Sequence, residues 1–183
     1  MAYTHLPDSL LTERLILRRP TDRDLAAIFR IHSDPMTNQF NPFGPITEQD
    51  QAIEIYATWS QYWTSVGYGP WTITLQQEPE RIIGFGGLSP KKILGLNTLN
   101  LYYRFDPTAW GQGYAVEMGQ KALYCAFHIL QHAHIHAIIR PTNTPSIRVA
   151  QRLGMQQFAT LDDVPGQVPS LVFELRAEQW AGR

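Results

Sequence analysis

The chain has 183 residues, 44% of them hydrophobic and 17% charged. That length and balance fit one domain with a full core, spanning 1–183, and exclude a disordered chain. Fifteen Lys and Arg against sixteen Asp and Glu leave a net charge of −1, so no overall field draws the protein to nucleic acid or an anionic membrane. Cys125 is the single cysteine, which excludes an internal disulfide.

Taken in order, Glu13–Arg19 alternates Leu15 and Leu17 with Arg14, Ile16 and Arg18, the pattern of a strand that Pro20 closes. Thr21 with Asp24 predicts a capped helix carrying Leu25, Ile28, Phe29 and His32, which Asp34-Pro35 ends. The segment Thr37–Pro45 reads as a loop. Thr47 with Asp50 opens a second helix along Ile53, Tyr56, Ala57, Ser60, Tyr62 and Trp63. Trp71–Gln76, Arg81–Leu88 and Thr98–Phe105 read as an antiparallel meander, with Ser89–Asn97 as a loop. A long helix from Gly113 to about Gln131, a buried strand Ile135–Arg140 and a short helix Pro145–Leu153 follow. Strands Gln156–Leu161 and Leu171–Arg176 flank a loop over Asp162–Pro169. The fold class is mixed α/β with a largely antiparallel start. Met1–His5 shows no basic flank ahead of an apolar run, and no stretch approaches the ~18 apolar residues of a span. A cytoplasmic protein is the expectation.

The chemistry concentrates in Leu99–Glu117. A strand leads through Asp106-Pro107 and Trp110-Gly111-Gln112-Gly113-Tyr114-Ala115 into the long helix. Free amides and the positive end of a helix dipole at one place bind phosphates. A glycine turn before an ordinary core helix gives the same pattern. A second element, Asn143–Met155, lies one strand downstream of the long helix.

Trp110–Ala115 resembles the phosphate loop of the GNAT superfamily of acetyl-CoA-dependent N-acetyltransferases, written Q/R-x-x-G-x-G/A. Gly113 and Ala115 fill its fourth and sixth places, and Trp110 stands where Gln or Arg is commoner. Asn143, Ser146, Arg148-Val149 and Leu153-Gly154-Met155 resemble the second cofactor motif. Leu11–Arg18 and Ile82–Leu88 add to a likeness with the RimJ/RimL-like branch that runs from about Leu11 to Trp180. The resemblance implies a GNAT-like fold: a central, mostly antiparallel sheet with a splayed strand pair and about four flanking helices. It implies acetyl-CoA as co-substrate, its pyrophosphate on the amides of Gln112–Val116. Trp110, Gly111, Gln112, Gly113, Tyr114, Ala115 and Val116 form the phosphate loop. The pantetheine arm runs beside Tyr103, Arg104 and Phe105, with Asn143 and Ser146 on its other side. A backbone amide near Tyr103–Phe105 faces the thioester carbonyl.

Direct transfer to a primary amine in a ternary complex needs a neutral amine, a stabilised oxyanion and a proton for the leaving thiolate. It does not require Cys125 as nucleophile. Many of these enzymes carry a tyrosine in the second motif, where this chain has Ala150. Ser146, one turn earlier, is the candidate acid, or else only a cofactor contact or cap. Tyr103 and Tyr114 are alternatives with packing roles of their own. Glu117 is a candidate base, or serves the helix dipole; Asp162-Asp163 is another, or an ordinary turn. The acceptor is a protein or peptide N-terminus or a small amine, and a homodimer is compatible with the chain. A non-catalytic acyl-CoA-binding domain is the alternative, resting on Ala150. A dinucleotide oxidoreductase lacks the acid about 20 residues beyond its loop.

His128, His132, His134 and His136 cluster, but no Asp, Glu or Cys completes a metal set, and solvated histidines at a helix end are the expectation, with no metal. Tyr56, Trp59, Tyr62, Trp63, Tyr68 and Trp71 read mainly as packing. Trp59 and Trp63 are also candidates for an aromatic wall at the acceptor cleft.

Overall fold

A computed structural model describes residues 5–180; Met1–Thr4, used above to judge the N-terminus, lie outside them. Eight strands form one sheet in the order β1-β2-β3-β4-β5-β6-β8-β7. β1 (Ser9–Leu11) and β2 (Leu15–Arg18) make a hairpin against β3 (Pro70–Leu75). β4 (Glu78–Ile93) and β5 (Leu96–Phe105) continue the antiparallel run. β6 (His134–Ile139) joins β5 in parallel, and β8 (Ser170–Arg176) lies antiparallel between β6 and β7 (Gln156–Leu161).

Helices cover both faces. α3 (Tyr114–Tyr124) and α4 (Thr144–Arg152) bring Met118, Ala122, Leu123 and Ala150 into the larger core with Leu15, Leu17, Trp71, Ile73, Leu101 and Phe105. α1 (Leu25–Ser33) and α2 (Gln49–Ser65) form a second cluster of Ile28, Ile31, Ala52, Trp59 and Phe85. β5 alternates between the two: Leu101 and Phe105 belong to the α3 side, Tyr102 to the α1–α2 side. A short α5 (Ala177–Trp180) ends the described chain. None of the described helices is long and apolar enough to cross a membrane.

Several expected boundaries move. Ser89–Asn97 is not a loop: β4 and β5 pair through Ser89↔Asn100 and Pro90↔Leu99 to Ile93↔Leu96. The turn sits at Leu94 and Gly95, with φ +50° and +83°. Pro90 is tolerated because the ladder with β3 has already ended at Gly87, so β4 needs N–H donors on one side at most. α2 is capped by Glu48 with Gln51 rather than by Thr47 with Asp50; Gln51 Oε1 accepts from the amides of Thr47 and Glu48. The long helix loosens into a π-helical turn over Cys125–Ile129, and Gln131, at φ +53°, ends it.

Candidate functional site

The site lies where the sheet opens. β5 and β6 share two residue pairs, Leu99↔Ile135 and Asn100↔His136, and then diverge. From Leu101 to Phe105, β5 keeps its ladder with β4 but has no strand on its other edge among the described residues, so backbone donors and acceptors face a cleft.

One arm of the cleft leads to the head of α3. After Phe105, a single helical turn over Pro107–Ala109, capped by Asp106, brings the chain to Trp110. The indole N–H of Trp110 donates to the Phe105 carbonyl at 3.0 Å, pinning the loop to the end of β5. Gly111 and Gly113 take φ +74° and +80°, where a side chain costs about 1–2 kcal/mol. The amides of Val116 and Glu117 both donate to the Gly113 carbonyl at 3.1 Å. The amides of Gly111 to Ala115 have no acceptor among the described residues. The free set is therefore one residue earlier than the expected Gln112–Val116, since Val116 is already bonded. A Cβ added at Gly111 meets nothing within 4 Å, and one at Gly113 meets only Arg14 Nη2, at 3.7 Å. Unbonded amides, open space and the helix dipole suit an anion of diphosphate size.

The β1–β2 hairpin braces this loop. Glu117 Oε1 accepts from the Thr12 hydroxyl at 2.6 Å and the Arg14 amide at 2.7 Å; Oε2 accepts from the Arg14 guanidinium at 2.7 Å. Burial works to raise the carboxyl's pKa, but these donors outweigh it and hold the group below its ordinary value. Arg14 also donates to the Gln112 carbonyl and lies 4.6 Å over the Tyr114 ring. Both oxygens of Glu117 are thus taken by three hydrogen bonds from the hairpin. Thr12 and Arg14 sit in the segment that carried the resemblance, but nothing in their spacing revealed this clamp.

The other arm is the start of α4. Asn143 Oδ1 accepts from the Ser146 amide at 3.1 Å and so caps the helix. The half-buried Tyr103 reaches across from β5 toward Ser146, whose side chain works to lower the phenol's pKa. Burial pushes the Tyr103 phenol up to about 12, so it holds its proton. Two hydroxyls therefore stand near each other in the cleft, while Ala150 is buried at 3% exposure.

On the opposite face, toward α1 and α2, His32 is buried. Its Nδ1 is 2.9 Å from the Ile28 carbonyl, which can only accept, so Nδ1 carries the proton. Nε2 then accepts from the Tyr102 hydroxyl at 2.9 Å. Burial, aided by the nearby Arg104 charge, lowers the His32 pKa to about 4. Arg104 donates to Asn38 Oδ1 and Thr37 Oγ1 of the α1–α2 loop, and its charge works to lower the pKa of the buried Tyr102 phenol. No sequence spacing announced this network, whose members lie 66 to 70 residues apart.

Other candidates have structural partners. Trp59 packs at 5.3 Å from Phe85 and 6.3 Å from Tyr102 on the α1–α2 face, while Trp63 lies in the larger core and donates to the Pro70 carbonyl. Asp163 accepts from Ser170 and lies 3.5 Å from Arg140. The histidines are not uniformly solvated. His128 is exposed, but His136 is buried between Thr98 at 2.9 Å and Glu174 at 3.5 Å, because it stands inside the sheet rather than at a helix end. Among the described residues no three metal-ligating side chains gather.

The family described as acetyltransferase (GNAT) domain matches residues 14–156. The chain is 31% identical to an uncharacterized protein of Bacillus subtilis, YkkB, over 83% of this chain and 87% of that protein. It is 29% identical to an uncharacterized N-acetyltransferase of the same organism, YoaA, over 83% and 85%. A solved structure of spermidine N-acetyltransferase from Vibrio cholerae, in complex with CoA and spermine, superposes with a TM-score of 0.73. That match covers 91% of this chain and 98% of the other at 17% identity, and it shows a shared fold.

Proposed function

Because the chain belongs to the GNAT acetyltransferase family, we propose that it transfers the acetyl group of acetyl-CoA to a primary amine by direct attack in a ternary complex. The observation that carries this reading is the row of unbonded amides from Gly111 to Ala115 at the head of α3, opening beside the free edge of β5. Those amides hold the pyrophosphate. The pantetheine arm lies along Tyr103–Phe105 in place of a strand, with Asn143 on its far side. An amide on that edge of β5 faces the thioester oxygen and stabilises the oxyanion. The motif wording of Leu11–Arg18 and Trp110–Ala115 supports a place in the RimJ/RimL-like branch.

The amine nitrogen attacks the thioester carbon, and the carbon–sulfur bond breaks as the tetrahedral intermediate collapses. The thiolate takes a proton from the Ser146–Tyr103 pair, and the proton released by the amine passes to water. Glu117 acts as a positioning residue, since its oxygens are already committed to Thr12 and Arg14. Its role is to keep the loop and hairpin in register rather than to act as the base.

The test is release of free thiol from acetyl-CoA across peptides, amino acids, polyamines and aminoglycosides, with the N-acetyl product identified by mass. Tight acetyl-CoA binding with no release over the whole panel overturns the transferase reading in favour of an acyl-CoA-binding domain.

A further inference from the structure

We infer that the acceptor carries a carboxylate next to its reactive amine, and that the Arg104 side chain binds it from the α1–α2 face of the cleft. This rests on the transferase reading above and names the substrate class for that site.

Most arginines in the described structure stand beside an acid. Arg14, Arg18, Arg19, Arg30, Arg81, Arg140 and Arg176 all have a carboxylate within 4 Å. Arg23, Arg148 and Arg152 have none, but all three are exposed and water solvates them. Arg104 alone among the described residues is a half-buried arginine without a carboxylate. Taking a guanidinium partly out of water without an opposite charge is unfavourable. Neutral oxygens accept from it instead, Asn38 Oδ1 and Thr37 Oγ1, with the Tyr102 phenol near enough to feel its charge.

Those oxygens are themselves fixed. The Asn38 amide donates to the carbonyls of His32 and Asp34, which aims its Oδ1 at Arg104. Tyr102 is held by His32. The acid of the same loop, Asp34, accepts from the Met36 amide and forms no ion pair. His32, facing the same network, is neutral near pH 7 and supplies no negative charge. The guanidinium is therefore oriented and still lacks an anion.

Its position gives that charge a use. Arg104 lies between Tyr103 and Phe105 on the free edge of β5, and the alternation of the strand puts it with Tyr102, on the face opposite the α3 cradle. An acetyl group entering from the α3 side meets an acceptor from the other. A planar guanidinium there matches a carboxylate in a two-bond fork. It repels a polycation, so the polyamine of the Vibrio cholerae relative is not the expected acceptor here.

The test compares each amino acid with its own amide, which differ by one negative charge, and with spermidine, by thiol release. Wild type should favour the acid over the amide by about 10- to 100-fold in kcat/KM, the range for one charged hydrogen-bonded contact. Arg104→Gln should collapse that ratio toward one, mainly through KM for the acid, with at most a smaller change in the KM for acetyl-CoA that is the same whether acid or amide is the acceptor. Arg104→Lys should keep part of the ratio, as a point charge without the fork. A loosened α1–α2 loop would lower both substrates together and leave the ratio standing, which would overturn the assignment. So would turnover that favours amides or spermidine. Failure of every amine to release thiol would instead strike the transferase reading. In that case, calorimetric titration of the CoA-loaded protein with N-acetylglycine and its amide decides about Arg104, because equal binding of the two refutes the anion site.

Discussion

Replacing Gly113 separates what the α3 cradle does for folding from what it does for the cofactor. Gly113 sits at φ +80°, so any L side chain there costs about 1–2 kcal/mol. In a chain of this size that lowers the melting temperature by about 2–8 °C. Space is not the problem, because the nearest atom to an added Cβ is Arg14 Nη2 at 3.7 Å. Gly113→Ala and Gly113→Asp therefore share the backbone penalty and differ by one negative charge. Arg14 does not cancel it, since its guanidinium is already 2.7 Å from Glu117. At ~5 Å from a phosphate, with an effective dielectric between 80 and 20, that charge costs about 1–3 kcal/mol, or about 5- to 150-fold in affinity. Calorimetry with acetyl-CoA should show Asp weaker than Ala by that factor, and the gap should shrink as salt is added. Equal affinities for the two variants would mean that no phosphate rests on these amides.

Four further outcomes are expected. Tyr103→Phe and Ser146→Ala should each lower kcat by about 100-fold or more, with a smaller change in acetyl-CoA affinity; an affinity loss at normal kcat would make both groups binding contacts only. Glu117→Gln should lower the melting temperature and leave the pH profile of kcat unchanged, whereas a drop of about 100-fold or more would restore it as the base. Burial lifts the Cys125 thiol to about 11, so in the native protein it should resist a thiol reagent at pH 8 and react on unfolding, and Cys125→Ala should stay active; rapid labelling of native protein would contradict its burial. His32, with a folded pKa of about 4 against an ordinary 6.5, binds its proton more readily when unfolded, so stability should fall as pH drops from 6.5 to 4, and more gently in a His32→Gln variant; identical pH slopes in melting experiments would remove His32 from the account.

What could be read in advance follows how local the cause is. Gly111 and Gly113 reveal the open glycine turn at the head of α3 because a strand, a left-handed turn and a helix start are written in consecutive residues, and Asn143 with Ser146 reveals the cap of α4 for the same reason. The hairpin over Ser89–Asn97 misleads because Pro90 is a local signal against a strand, while its tolerance depends on where β3 stops, some twenty residues away in sequence. The capping of α2 fails by one residue because Thr47, Glu48, Asp50 and Gln51 offer two overlapping boxes, and only the side chain of Gln51 chooses between them. The His128–His136 cluster looks uniform in sequence, yet strand position alone buries His136.

The residues to which selectivity and proton transfer are assigned in the proposal are the least legible, for a physical reason. Tyr103 and Ser146 meet only because β5 and β6 separate after Asn100, and the separation leaves no mark on either strand's alternation. Arg104 reads as an ordinary polar position on a half-exposed strand. Its meaning comes from an absence spread over several elements: no acid on α1, on the α1–α2 loop or on the facing edge of β6 stands within ion-pair distance. If the inference about the acceptor holds, such an absence sets charge preference as a partner would, because a partly desolvated guanidinium lowers its free energy by taking an anion. On the proposed reading, the cradle on the α3 face takes the donor substrate and the unpaired cation on the α1–α2 face selects among acceptors; the open edge of β5 connects the two.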